Sequence, residues 1–213
     1  MKRAFDIVVG LLAVVILSPV MLGIALAIRL KSRAPALFKQ RRAGRRGRPF
    51  NMLKFRTMRP DVAPYGPSPR AGDDARLTRF GRVLREMSLD ELPQLFNVLA
   101  GQMSLVGPRP LYERQAAKWS ERQRRRLEVR PGITGYAQAY GRAGLTHEEK
   151  IELDLYYVDK RSLRLDLKII IRTVANVFTG GGEVYEQRYS RDELREADAD
   201  AEDRAGGSQD AQT

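Results

Sequence analysis

The stretch SLDELPQL, residues 88 to 95, sets the carboxylates of Asp90 and Glu91 side by side. Paired acids can supply a nucleophile with a partner, or ligands for a hard divalent cation. Few other reactive groups compete for the role. The chain has no cysteine and a single histidine, His147, which excludes a disulfide framework, a thiolate nucleophile and any metal site built from several Cys or His ligands. Polar chemistry therefore falls to Asp, Glu, Lys, Arg, Ser, Thr and Tyr.

Neighbouring residues on a helix point about 100° apart, so the two acids are expected to take separate roles. Ser88 followed by Glu91 also matches the S-x-x-E capping box of a helix start. Acids in a first turn suit the positive end of the helix dipole, and that field together with nearby arginines favours the ionised carboxylate. The chain supplies cations around them: Lys54 and Arg56 in KFRTM, Arg85 just upstream, Arg109 in GPRP, and Arg130 before PGITG. Magnesium commonly takes one or two carboxylates plus substrate phosphate oxygens, and arginine clamps stabilise charge on a transferring phosphoryl group. Read from the residues, the chemistry is phosphoryl-type transfer, with Asp90 and Glu91 as candidate catalytic residues and Mg2+ ligands.

Overall charge agrees with an anionic partner. Lys and Arg number 38 against 26 Asp and Glu, a formal net charge of +12. Nucleic acid, an anionic membrane surface and a phosphorylated substrate all satisfy that balance. The 213 residues, 43% of them hydrophobic, suffice for one substantial folded body.

The elements that must position these groups begin with residues 7 to 30, apolar apart from Ser18 and Arg29 and long enough to cross a bilayer. A signal peptide and a plain span are the ordinary readings, but the first has a shorter apolar core. A plain span leaves Lys2 and Arg3 on one side and a dense basic run, from Arg29 to Arg48, on the other, although both flanks favour the cytoplasm. Ser18-Pro19 falls near the middle, where proline removes a backbone donor and predicts a break or sharp kink. Each arm is then roughly 16 Å of helix, about half the hydrocarbon thickness. Together these features predict a re-entrant helix-break-helix over residues 1–31, with a kinked full span as the alternative.

Residues 32–180 are expected to form the cytosolic-face domain, and 181–213 a polar, largely disordered tail. FNMLKFRTM reads as a short strand and the basic run before it as a solvated, membrane-facing segment. Residues 59 to 75 read as a loop, residues 77 to 87 as an amphipathic helix with Arg79, Arg82 and Arg85 on its polar face, and residues 118 to 129 as a polar, Arg-rich helix. Further helical patterns follow from 147 to 178. The fold class is α+β: a mostly helical, membrane-associated domain with interfacial amphipathic helices and a small β element.

Five stretches, KRAFDIVVGLLAVVILSPV, FKQRRAGRRGRPFNMLKFRTM, LTRFGRVLREMSLDELPQLFNVLAGQMSLVGPRPL, RPGITGYAQAYGR and LDLYYVDKRSLRLDLKIIIRTV, run in order from about residue 2 to 178. Together they resemble the bacterial sugar transferase family, the monotopic phosphoglycosyl transferases, in its small catalytic-core form without a multi-span N-terminal domain. The resemblance implies transfer of a sugar 1-phosphate from a nucleoside diphosphate sugar, usually a UDP-sugar, to a polyprenyl phosphate such as undecaprenyl phosphate, with release of UMP. It also implies Mg2+, a covalent phosphosugar intermediate on Asp90, and Glu91 as its partner near the metal. Carried over by motif, Lys54 and Arg85 contact phosphate, Arg109 and the Arg130 loop border the nucleotide, and Ser18-Pro19 breaks the membrane helix. Asp159 and Asp166 are candidate supports of the site, with helix-surface ion pairs as the plainer alternative.

The implied location is the cytoplasmic face of the bacterial inner membrane. The implied role is an early membrane step in surface glycan assembly; nucleic acid is not among the expected partners, and a homodimer is left open. Tyr136 stands where the family pattern has Trp, and Ala139-Tyr140 where it has Val-Asn, a departure that bears on sugar and nucleotide specificity. The contrasting class is a non-catalytic, membrane-bound basic module for anionic lipid or nucleic acid, whose binding would weaken steeply with salt.

Overall fold

The computed structural model describes residues 1–62, 74–113, 115, 119–141 and 145–179. The tail at 181–213 and most of the loop expected at 59 to 75 lie outside the described residues. The rest is mostly helical, with four short strands.

Helix α1, Lys2–Ser32, is long and apolar enough to cross a membrane. It ends where Arg33 turns left-handed and returns its amide to the Arg29 carbonyl. At Ser18-Pro19, where a break or sharp kink was expected, helical structure continues through Pro19, so the chain does not leave the helix there. A local bond serves the carbonyl that proline leaves unpaired. Proline has no N–H to offer the Val15 carbonyl one turn back, and the Ser18 hydroxyl donates to that carbonyl at 2.8 Å.

One side of α1 lies along the body through both of its halves. Toward the N-terminus, Phe5, Val9, Val14 and Leu17 pack on a core that includes Met52, Leu95, Val98 and Met103. Toward the C-terminus, Met21, Ile24 and Ile28 join Ala36, Phe55 and Leu84 in a second core. Val8, Leu12, Ile16, Leu22 and Leu30 on its other side are exposed.

Strands β1, Leu37–Ala43, and β2, Pro49–Phe55, form an antiparallel hairpin in which Leu37 faces Phe55 and Ala43 faces Pro49. The basic run read as a solvated segment is thus partly a strand. Alternation explains how it can be both, because Phe38, Gln40 and Arg42 are partly or fully buried while Leu37, Lys39 and Arg41 stay exposed.

Helix α2, Arg79–Glu86, starts at Thr78, whose side chain accepts from the Gly81 amide. A 3-10 turn, Leu89–Glu91, leads into α3, Gln94–Leu99. Strand β3, Ser104–Val106, then pairs in parallel with β4, Gly132–Thr134. The connection between them carries helix α4, Glu121–Arg124, and a 3-10 turn, Arg125–Glu128, where a single helix was expected from 118 to 129. Helices α5, Tyr136–Tyr140, α6, His147–Lys160, and α7, Leu163–Thr179, complete the body.

Candidate active site

The turn that presents the two acids is set by Ser88, which adopts a left-handed backbone, φ 55°. Few non-glycine residues accept that conformation, and here it ends the run of α2 and redirects the chain into the turn. The capping box expected between Ser88 and Glu91 does not form: the Ser88 side chain makes no cap bond. Glu91 is engaged elsewhere, accepting from Lys54 Nζ at 2.7 Å and from Arg109 Nη2 at 3.1 Å. Charge-assisted bonds to two cations are stronger than one to a backbone amide. The same sequence signature is realised at Ser120 with Gln123 and at Thr146 with Glu149.

Three separated segments meet at these acids. Strand β2 carries Lys54, the 3-10 turn carries Asp90 and Glu91, and the loop after β3 carries Arg109. Asp90 is 5% exposed, and its nearest cation is Lys54 at 4.0 Å. Among the described residues its carboxylate accepts no hydrogen bond.

The two environments push the carboxylates apart. Burial raises the Asp90 pKa and the charge of Glu91 adds to this, against the opposing pull of Lys54, Arg85 and Arg109. Burial would raise Glu91 too, but Lys54 and Arg109 outweigh it and bring it down to about 2. One acid is therefore a firmly held anion. Its neighbour is the less stabilised anion.

The remaining candidates distribute differently. Arg85 Nε donates to Thr57 Oγ1 at 3.1 Å, and its charge acts on Asp90. Arg56 donates to the Pro35 carbonyl and Arg130 to the Gly101 carbonyl, and neither touches the acid pair. Asp159 forms an exposed ion pair with Arg125. Asp166 is buried and accepts from Lys2 Nζ and the Tyr157 hydroxyl, each at 2.7 Å, so it anchors the first turn of α1.

The loops around Arg109 and Arg130 meet backbone to backbone. A Cβ on Gly132 would lie 2.1 Å from the Gly107 nitrogen, so the parallel pairing of β3 and β4 requires glycine there. The departures from the expected family pattern also meet: the Tyr136 and Tyr140 rings stack at 4.7 Å, and Tyr136 lies 4.8 Å from Tyr156.

Two buried acids escaped sequence reasoning. Asp6, at the head of the apolar run, accepts from Ser104 Oγ and the Leu105 amide. Asp154 pairs with Arg126 inside the body. A signal for Asp154 exists, because it shares the helical face of Ile151, Leu155 and Val158, where an acid needs a partner.

The donor set also bears on a metal. Among the described residues no group of three or more His, Cys, Asp or Glu side chains could hold an ion. Two adjacent hard carboxylates fit Mg2+ of the kind that shares its shell with substrate phosphates and water, rather than one caged by protein.

Residues 1–180 match the bacterial sugar transferase family, and the chain belongs to it. It is therefore an enzyme of the transferase class. A relative in Bacillus subtilis strain 168, the uncharacterised sugar transferase EpsL, is 46% identical over 85% of this chain and 89% of its own length. The UDP-glucose:undecaprenyl-phosphate glucose-1-phosphate transferase of Caulobacter vibrioides is likewise 46% identical, over 84% of this chain and 70% of its own. An enzyme of the same name from Escherichia coli K12 is 41% identical over 84% of this chain, which spans 40% of that longer protein.

Proposed function

We propose that the protein transfers a sugar 1-phosphate from a nucleoside diphosphate sugar, a UDP-sugar by similarity to its relatives, to a polyprenyl phosphate such as undecaprenyl phosphate. The observation that carries this reading is the unequal acid pair. Glu91 is locked between Lys54 and Arg109, whereas among the described residues Asp90 is left without a hydrogen bond beside them.

An Asp90 oxygen attacks the sugar-linked phosphorus of the donor, and the bond from that phosphorus to the bridging oxygen breaks, releasing UMP. The phosphosugar stays on Asp90 as an acyl phosphate. A polyprenyl phosphate oxygen then attacks the same phosphorus and frees the Asp90 carboxylate, giving the polyprenyl diphosphate sugar. Mg2+, held by Asp90 and Glu91, would neutralise diphosphate charge. Lys54, fixed by Glu91, and the half-exposed Arg109 are placed to receive phosphate oxygens. Arg85 acts on the nucleophile from the second helix.

The reading of location rests on α1. A helix whose two halves both pack on one folded body cannot carry that body on one side of a bilayer and end on the other. We read α1 as entering and leaving the membrane on the cytosolic face, with its exposed apolar side in lipid. The apolar stripe Leu167, Ile171, Val174 and Val177 on α7, beside Arg164, Lys168 and Arg172, suits the interface of the same membrane. The product would open a surface glycan pathway.

The test is direct. Detergent-solubilised protein with Mg2+, undecaprenyl phosphate and a panel of UDP-sugars should release UMP from at least one donor, and Asp90→Asn should not. Release of UDP would instead mean transfer of the sugar alone and overturn the scheme. Turnover by Asp90→Asn would remove the covalent step.

A further inference from the structure

Arg126 and Asp154 form an ion pair in the interior, each about as dry as a core leucine at 4% and 2% exposed. Such a pair is seldom the most stable solution, because apolar residues of similar volume often serve as well or better. Its geometry suggests another use. The same Arg126 Nη2 that meets Asp154 also donates to the backbone carbonyl of Arg109 at 3.0 Å. Among the described residues, Arg126 Nη1 and Asp154 Oδ1 have no partner, so the pair is not the two-pronged fork that maximises binding.

The guanidinium is oriented from two sides. Its carbon lies 4.9 Å from the centre of the Trp119 ring, and its Nη2 donates to Asp154 on α6. What this orientation fixes is the loop of Arg109, whose own side chain donates to Glu91 at 3.1 Å. A chain of contacts therefore runs from α6 through Arg126 and the Arg109 backbone to the acid pair.

We propose that Arg126, aimed by Asp154, is a positioning residue for Arg109, holding its backbone so that its side chain reaches both Glu91 and the diphosphate of the donor. Neither residue of the pair touches the reacting atoms. This inference rests on the proposed UMP-releasing reaction for its kinetic arm and on the fold alone for its exchange arm.

The test compares Arg126→Met, Asp154→Leu and the double variant. Each single change strands a buried charge and should lower both thermal stability and turnover. The double variant removes both charges and should recover the unfolding temperature, yet its kcat should stay about tenfold or more below wild type, since small misplacements of a clamp are costly. In Arg109→Ala protein the double change should cost no further kcat, because its effect runs through Arg109. Backbone hydrogen exchange over residues 107–113 should quicken in the double variant.

Recovery of wild-type kcat together with stability would show the pair to be structural only and overturn the inference. An undiminished further loss in Arg109→Ala protein would do the same, as would unchanged exchange over 107–113. Faster exchange in a protein that releases no UMP from any donor would support the positioning contact and count against the proposed reaction instead.

Discussion

Lys54 Nζ lies 2.7 Å from Glu91 but stops 4.0 Å short of Asp90. One cation therefore treats two adjacent acids unequally. The difference arises in the 3-10 turn, which starts from the left-handed Ser88 and offers Glu91 to both β2 and the loop after β3. In an ordinary helix start the Ser88 and Glu91 side chains would cap each other, and Lys54 would have no fixed anion to hold it.

That inequality has a pH signature. In the proposed scheme the ionised Asp90 carboxylate attacks, so turnover should rise with pH through its pKa, which burial lifts above the ordinary value. Glu91 stays ionised down to about pH 2, which leaves the acid limb of the profile to Asp90. Lys54 lowers the Asp90 pKa, so Lys54→Gln should move the limb to higher pH as well as reduce kcat. Profiles of kcat for the two proteins at one Mg2+ concentration provide the comparison, and a limb that stays put or moves down would contradict this electrostatic assignment.

Replacing the acids should separate their roles. Asp90→Asn removes the proposed nucleophile and should cut UMP release by at least about 10^3-fold, with no radiolabel from a sugar-phosphate donor retained on the protein. Glu91→Gln keeps the nucleophile but leaves Lys54 and Arg109 without their anion. Its kcat should fall about 10^2-fold while a small labelled intermediate still forms. Equal labelling of both variants would require a different nucleophile.

Much of this site was legible in the sequence because its residues sit in short, distinctive stretches: SLDELPQL for the acids, KFRTM for Lys54 and GPRP for Arg109. The parallel pair β3 and β4 was not, because strands such as Ser104–Val106 and Gly132–Thr134 are too short to show a period and their burial comes from tertiary contacts. Arg56 and Arg130 look like Lys54 and Arg109 in sequence, yet their guanidinium groups serve backbone carbonyls. Local spacing cannot separate a cation aimed at a ligand from one that satisfies the fold. The sequence around Ser18-Pro19 reads as a helix breaker, yet helical structure continues through it, with the Ser18 hydroxyl donating to the Val15 carbonyl that Pro19 cannot serve.

The buried end of α1 offers a stability test. Tyr157 donates to Asp166 at 2.7 Å, and Asp166 accepts from Lys2, so α6, α7 and the first turn of α1 are tied together. Tyr157→Phe leaves a buried Asp166 oxygen without its donor and should cost about 1–3 kcal/mol. Chemical or thermal unfolding should register that loss, with kcat little changed in the folded fraction because the acid pair is untouched. A selective loss of kcat at wild-type stability would instead link this network to catalysis.

The membrane topology can be tested without disturbing the native thiols, because there are none. Ala4→Cys lies in the first turn of α1, and Arg46→Cys lies in the hairpin loop between β1 and β2; both positions are exposed. If α1 returns to the side it entered, both cysteines should react with an impermeant maleimide only after the cytosolic face is opened. Pro19→Ala restores a backbone donor for the Val15 carbonyl and should straighten α1, and position 4 should become reactive from outside in part of the population. Labelling of position 4 from outside in the unaltered helix would mean that α1 spans the bilayer, and the packing of its first turn against Asp166 would then have to be abandoned in the membrane-bound protein.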